Sequence, residues 1–340
     1  MEAPWSVRPW VPADASVCAA RGAERGSERP EAPPRSAEPE HIGDLGDPGD
    51  LERLPADALC GSVACGEDGQ AAAWIVARRE RVVLGGDVVP WLRVVEIGNT
   101  RRGEALGLAR PLVRALEAFG KTYGGRAPEG HVIAYGWPTR RLRRLTYAMT
   151  RGGVVRNQNR LVLRPETARG EAAHGVQVDE VERFPDELDE LFARVRERDG
   201  VLRVRDAEAM NARFVGTRHR RLVARAANGA LVGCAVHRAG RYHGEPTRLV
   251  VDWMEAPAVS PEEAAGPALR EALLDAMRTA GDPSLTMLLA DSSPHWRAFQ
   301  DAGYRVFGTN DYVMVASFQR PYDAYWLERH WQYTASDFEG

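Results

Sequence analysis

The chain has 340 residues, 44% of them apolar, which is enough for sizeable cores and for two domains of ordinary size. Its 45 Lys and Arg stand against 48 Asp and Glu, a net charge of −3. That near-balance gives no support for general nucleic-acid binding. No apolar run reaches the roughly 18 residues of a membrane span, and MEAPWSVRPWVPADASV at the N-terminus has neither region of a secretory signal.

Ser6 to Arg8 reads as a short strand, followed by a turn and a helix starting near Pro12 to Asp14. Residues 21–50 are dense in Pro, Gly, Glu and Arg and nearly free of large apolar residues. Such a segment cannot bury a core and is expected to be a mobile loop or linker. From Ala58 to Gly98 three β-like runs are separated by turn signals at Glu67-Asp68-Gly69 and Gly85-Gly86, an antiparallel meander. A helix from about Leu106 to Thr122 follows, then the buried-type strand HVIAYGWP, a helix over about Arg140 to Met149, and the closing strand RNQNRLVLRP.

The second half repeats this order. VDEVERFPDELDELFARVRERDG carries a strand and a helix, and residues 203–215 are helical. A hairpin turns at Asn228-Gly229, and TRLVVDWMEA is a strand. A helix over 261–280, the strand SLTMLLAD, the helix PHWRAFQDAGY and the strand DYVMVASF complete the half. Aligning the halves pairs Glu96 with Asp252 (252 − 96 = 156) and Gly152 with Gly303 (303 − 152 = 151). Two segments agree on one period, the mark of an internal duplication. The expected architecture is α/β (α+β): residues 1–165, then 172–320, then a tail, 321–340, packed as a helix on its own domain. Tyr322, Tyr325, Trp326, Trp331 and Tyr333 in that tail are open to a second reading as a partner patch.

Chemistry concentrates at one strand-to-helix turn, EIGNTRRGEALG. Backbone N–H groups at a helix N-terminus favour an anion, small residues let it approach, and Arg102 supplies charge. An ordinary turn with solvated arginines is the plainer alternative. Glu96 interrupts an apolar run and is expected to point away from the face of Val95 and Ile97. It is either a half-exposed strand acid or a proton acceptor. RRLRRL, Arg140 to Leu145, is a basic helix face or a binder of phosphate or acidic substrate. His237, His243, His295 and His330 have no partner at metal-ligand spacing. Cys18, Cys60, Cys65 and Cys234 form no CxxC pair, so reduced thiols in a cytoplasmic protein are expected, with no metal site. The excess of Arg over Lys and the abundance of Ala suggest a GC-rich bacterial genome.

The element order and this turn resemble the GNAT acyltransferase superfamily. That family's turn reads R/Q-x-x-G-x-G/A. Here Arg102, Gly103, Glu104, Ala105, Leu106 and Gly107 fill the six positions, with Ala105 in place of the first glycine. AYGWP, WRAFQDAGY and the C-terminal WLERHWQYTASDFEG also resemble segments of the family, the last of tandem GNAT proteins. The resemblance implies acetyl-CoA or another acyl-CoA in a V between splayed strands. Pantetheine would lie along the strand at Ile97, and pyrophosphate on residues 102 to 107. It implies N-acyl transfer to a small-molecule or peptide amine, with Glu96 as base. A tyrosine acid commonly stands four residues before a glycine. Ala148 holds that place, so Tyr147, one residue earlier, is the candidate, or else an aromatic packed under the sheet. After Asp252 the second copy has no arginine before Ala268, and Glu255, Glu262, Glu263, Pro257, Pro261 and Pro267 oppose an anion there. One CoA per chain, in the first half, is expected. A FemABX-type aminoacyl transferase and a non-catalytic scaffold are the competing readings.

Overall fold

The computed structural model describes residues 5–15, 59–100, 110–125, 130–136, 147, 152–170, 175–242, 245–258, 264–318 and 322–338. The expected linker, 21–50, and most of the helix expected at 140–149 lie outside them. In chain order the first copy runs β1 (Ser6–Pro9), β2 (Leu59–Cys65), β3 (Ala71–Leu84), β4 (Asp87–Asn99), α1 (Arg110–Tyr123), β5 (Ile133–Gly136) and β6 (Gly153–Leu163). The second runs β7 (Val176–Val181), α2 (Leu188–Arg198), β8 (Val201–Arg203), α3 (Ala207–Arg213), β9 (Arg220–Ala226), β10 (Leu231–Tyr242), β11 (Glu245–Glu255), α4 (Ala265–Ala280), β12 (Leu285–Leu288), α5 (Trp296–Asp301) and β13 (Arg305–Ser317). The tail forms α6 (Ala324–His330), β14 (Trp331–Gln332) and a 3-10 turn at Ala335–Asp337.

Local chemistry explains the meander. β3 and β4 join through Gly85 and Gly86, whose φ angles of 61° and 95° suit a two-residue hairpin with both central residues left-handed. Alternation then sorts the side chains. Ala73, Ile75 and Ala77 face Leu112, Ala115, Leu116 and Phe119 of α1, while Trp74 and Val76 pack with Trp10 and Val63 on the other face. In the second copy Leu269, Leu273 and Met277 of α4 cover Ala224, Ala235 and Trp253.

The strands form one 14-stranded sheet with the path β1-β2-β3-β4-β5-β13-β6-β12-β11-β10-β9-β7. The sequence places β6 as the closing strand of its own half. Instead β13, from the second copy, pairs antiparallel with β5, and β6, from the first, pairs antiparallel with β12. β6 and β13 also pair with each other, Val313 against Arg156 and Val306 against Leu161, so the exchanged strands form the seam between copies. Alternating apolar residues mark a strand but not which of two similar edges it joins, so periodicity could not reveal the exchange.

The largest core cluster lies on the face away from α1 and α4 and belongs to both copies. It joins Trp91, Ile133 and Tyr135 to Leu188 and Phe192 of α2, Met210 of α3, Trp331 and Tyr333. The tail therefore does more than pack on its own domain. Trp331 stands edge-on to Trp91 and Tyr135, with ring centroids 5.4 and 5.0 Å away. Trp331 and Tyr333 are each 1% exposed, core anchors rather than a partner patch, whereas Tyr325 is 63% exposed. Cys60, Cys65 and Cys234 are free and buried. No helix of the described residues is long and apolar enough to cross a membrane.

Candidate active site

Each copy pairs two of its strands in parallel, β4 with β5 in the first and β11 with β12 in the second, and in each the earlier strand runs on past the last pair among the described residues. β4 and β5 are paired at Leu92–Ala134 and Arg93–Tyr135, after which β4 runs on to Asn99. At Gly136 the strands are still close, since a Cβ there would lie 3.0 Å from the Val94 carbonyl oxygen. A bulge follows. Val76 faces Glu96 and Ala77 faces Val94, so Val95 is the extra residue. Bulges sharpen twist and re-aim side chains next to sites. Here the bulge breaks the alternation expected from the sequence. Val95 packs with Trp74 and Val76, on the face Glu96 shares with its partner Val76, and only Ile97 turns toward α1. Glu96 is half-buried, as is Ile97. Two residues on, a Cβ at Gly98 would stand 2.4 Å from the Trp74 ring.

The expected phosphate-binding residues Arg102, Gly103, Glu104, Ala105, Leu106 and Gly107 lie outside the described residues. Tyr147 is helical and 66% exposed, so it does not pack under the sheet. That leaves protonation of the departing thiolate as the candidate role for it.

The second copy repeats the arrangement. β11 and β12 pair at Arg248–Leu285, Leu249–Thr286 and Val250–Met287, and β11 continues to Glu255. Its bulge sets Val236 against Asp252 and His237 against Val250, leaving Val251 extra. Asp252 thus occupies the position of Glu96, but it is 1% exposed and fully engaged. Its Oδ1 accepts from Arg205 Nε at 2.9 Å, the Trp253 N–H at 2.8 Å and Thr334 Oγ1 at 3.1 Å. Its Oδ2 accepts from Ser336 Oγ at 2.7 Å, with Arg213 3.6 Å away. Burial alone would raise this carboxyl's pKa. The charges of Arg205 and Arg213 and the two hydrogen bonds outweigh it and hold the group below its ordinary value. Four hydrogen bonds and the nearby Arg213 thus hold this carboxylate in the fold. Asp252 is a buried member of an ion network rather than a half-exposed strand acid.

Thr334 and Ser336 reach Asp252 because the tail enters the second splay. β14 runs parallel to β8, Trp331 beside Val201. Thr334 then bridges to Leu289 just past β12, and the Ala290 N–H donates to the Tyr333 carbonyl at 3.3 Å. The segment between Tyr333 and Asp337 therefore touches the ends of both strands that diverge.

A second internal group sits where an anion would. Glu255 Oε1 accepts from the Gly266 N–H, in the first turn of α4, at 2.9 Å. Its Oε2 lies 3.1 Å from His295 Nδ1, and Arg198 donates to the Glu255 carbonyl at 3.2 Å. Burial would raise its pKa too, but the His295 hydrogen bond and the Gly266 N–H hold it below the usual range. A carboxylate at a helix N-terminus uses the amides and the dipole that a phosphate would use. The negative charge expected at Glu255 is thus part of the fold.

Sequence reasoning missed the buried ions that join the copies. Glu80 pairs with Arg203, and its Oε1 lies 3.6 Å from Arg93 Nε. Arg205 bridges Asp252 and Asp337, the latter at 2.7 Å. The only sequence signal was a tail that mixes aromatics with Thr334, Ser336 and Asp337, residues that cap and bridge.

No family model and no curated protein matches the sequence. Solved structures do match. A conserved protein from Enterococcus faecalis V583, described as a probable N-acyltransferase, superposes with a TM-score of 0.65 at 10% identity, over 96% of this chain and 74% of its own. A tandem GNAT protein from the clavulanic acid biosynthesis pathway gives 0.55 at 15% identity, over 93% and 99%. The N-myristoyltransferase of Saccharomyces cerevisiae, solved with myristoyl-CoA bound, gives 0.54 at 12% identity, over 93% and 80%. The chain has the tandem GNAT fold, a mixed, largely antiparallel sheet flanked by helices.

Proposed function

We propose that this chain transfers an acyl group, acetyl most readily, from acyl-CoA to a primary amine of a small molecule or peptide. We place residues 1–165 and 172–320 as its two functional halves and the CoA in the first. The observation that carries the reading is a carboxylate just past the same bulge in each copy, on the strand that pairs in parallel with β5 or with β12. In the second, the chain's own tail and Glu255 take the space and the helix terminus. In the first, Glu96 stands half-buried on β4, three residues past the pair Arg93–Tyr135. Thioester aminolysis needs an amine that can lose a proton, and a carboxylate at that place can accept it directly or through water.

In this reading the pantetheine runs along β4 at Ile97, and the pyrophosphate lies on residues 102 to 107. Arg102 and the backbone N–H groups there supply the charge and donors such a group needs. Tyr147 is retained only as the candidate for protonating the departing thiolate. The fold of the yeast and clavulanate-pathway neighbours supports acyl-CoA as donor in general, and the choice of acetyl is ours.

Calorimetry with acetyl-CoA, followed by a thiol-release assay over a panel of amines, tests the reading. Binding that is lost in Gly107→Glu, with the fold retained, is expected. Failure of the wild-type chain to bind any acyl-CoA would make it a scaffold.

A further inference from the structure

Two adjacent tail residues face both copies at once. The Ser336 hydroxyl donates to Asp252 in the second splay at 2.7 Å, and the Asp337 carboxylate accepts from Arg205 at 2.7 Å. Their carbonyls turn the other way. The Ser336 carbonyl accepts from Arg203 at 3.0 Å, and the Asp337 carbonyl accepts from the Tyr135 hydroxyl at 3.1 Å. Arg203 is also the ion-pair partner of Glu80, beside Arg93.

Arg93 and Tyr135 are the last facing residues of β4 and β5 among the described residues, three positions before Glu96. Everything between is dry. Ser336 is 0% exposed, Asp337 1%, Tyr135 2%, Arg93 2% and Arg203 4%. A hydrogen bond in such surroundings is costly to leave unmade, and networks of them hold one geometry. Trp331, packed edge-on to both Trp91 and Tyr135, stiffens the same junction.

We propose that the sealed second splay is the anchor that fixes the β4–β5 pair at Arg93 and Tyr135 and so the course of β4 through Glu96, with Tyr135, Ser336 and Asp337 as positioning residues. The second copy then contributes to the setting of Glu96 without binding a cofactor of its own. The charged groups around these positioning residues are Arg78, Glu80 and Arg93 from the first copy and Arg203, Arg205, Arg213 and Asp252 from the second. The effect on acyl-CoA rests on the function proposed above, but the mechanical coupling does not.

The test uses the full-length chain with Ser336→Ala, Tyr135→Phe and the double variant, beside Arg278→Ala, an exposed residue of α4, as control. Amide hydrogen exchange is measured over residues 94–99 and 133–136, with the β9–β10 hairpin as internal reference. Either single variant is expected to speed exchange at 94–99 by about twofold to tenfold, the range of one hydrogen bond. The double variant should speed it by less than the product of the two, because both act through one peptide. Should Tyr135→Phe not fold, Thr334→Val removes a hydroxyl from the same segment and takes its place. In turnover, the KM for acetyl-CoA should rise while kcat holds. Exchange that rises only in the tail and β11, with 94–99 at the wild-type rate, overturns the proposal. A wild-type chain that ignores acetyl-CoA would instead remove the proposed function and leave the exchange result to decide the coupling.

Discussion

Glu96 and Asp252 hold one position in two copies: each follows a bulge and faces a valine, Val76 or Val236, on the sheet face away from the long helix. The difference lies in what surrounds them. Asp252 is enclosed by Arg205, Arg213, Thr334 and Ser336, whereas Glu96 is half-buried. The two copies carry a carboxylate at one bulge position, and in the second the tail makes it an anchor.

The two should answer differently to loss of charge. Glu96→Gln keeps shape and removes the proton acceptor, so kcat/KM should fall by roughly 10²–10⁴ with the denaturation midpoint unchanged. Asp252→Asn takes from Arg205 one of its two buried carboxylates and from Arg213 the carboxylate beside it, and breaks in buried pairs cost about 3–5 kcal/mol. Urea denaturation beside steady-state kinetics separates the effects. A Glu96→Gln enzyme within about twofold of wild type would return Glu96 to a structural role.

Acid should weaken the fold in two stages, and the first belongs to His237. This ring is 3% exposed. Burial, with Arg248 adding to it, pushes its pKa down to about 4. Its Nδ1 lies 3.4 Å from an Arg248 nitrogen, which suits a neutral imidazole accepting a hydrogen bond from the guanidinium rather than a ring carrying a second proton. The unfolded chain binds that proton near pH 6.5. Between about 6.5 and 4 the unfolded state therefore holds more protons, and stability rises with pH. The stabilisation is complete above about pH 6.5 and is lost as pH falls toward 4. Asp252, Glu80 and Glu255, held below their ordinary values, lose theirs only further down, as pH falls through those depressed values. Urea midpoints for His237→Gln should be flat across the upper window. A slope equal to that of the wild type would assign the proton elsewhere.

The order of elements, the duplication and the matching of Glu96 to Asp252 were legible because each rests on short-range pattern. The two bulges were not. An extra residue such as Val95 looks like any other in an apolar run, so the face on which it packs was misread. Strand exchange was hidden for a related reason, since β6 and β13 carry similar patterns and meet similar edges. The buried ions were hidden because Arg203, Arg205 and Asp337 read as ordinary surface charges until the tail brings them together. Glu255 was legible as a charge hostile to phosphate, and the structure adds that it uses the helix terminus itself.

Gly98 gives a packing test beside Glu96. A methyl there would meet the Trp74 ring at 2.4 Å. Trp74 is 2% exposed and packed among Trp10, Val63 and Val76, so it has little room to move. Overpacking of this kind costs about 1–3 kcal/mol. Gly98→Ala should lower the urea midpoint accordingly and raise the KM for acetyl-CoA as β4 is displaced. Trp74→Phe in the same chain should recover part of the loss by removing the crowding atoms. A Gly98→Ala protein as stable as wild type would show that the ring can shift without resistance.

Stoichiometry is where the asymmetry of the copies becomes measurable. A CoA pyrophosphate needs free amides at a helix N-terminus and nearby positive charge. In the first copy the residues suited to this are Arg102 and the small residues to Gly107. In the second, the Gly266 N–H of α4 is already bonded to Glu255, and a methyl on Gly266 would lie 2.9 Å from both carboxylate oxygens. Pantetheine would also need the splay that Thr334 and Ser336 fill. Native mass spectrometry with excess acetyl-CoA should therefore find one cofactor per chain and none in Gly107→Glu. Removing the second copy's carboxylate alone, in Glu255→Gln, should leave the count at one, because the tail still occupies the splay. Two cofactors on the wild-type chain, or one that persists in Gly107→Glu, would move the site out of the first copy.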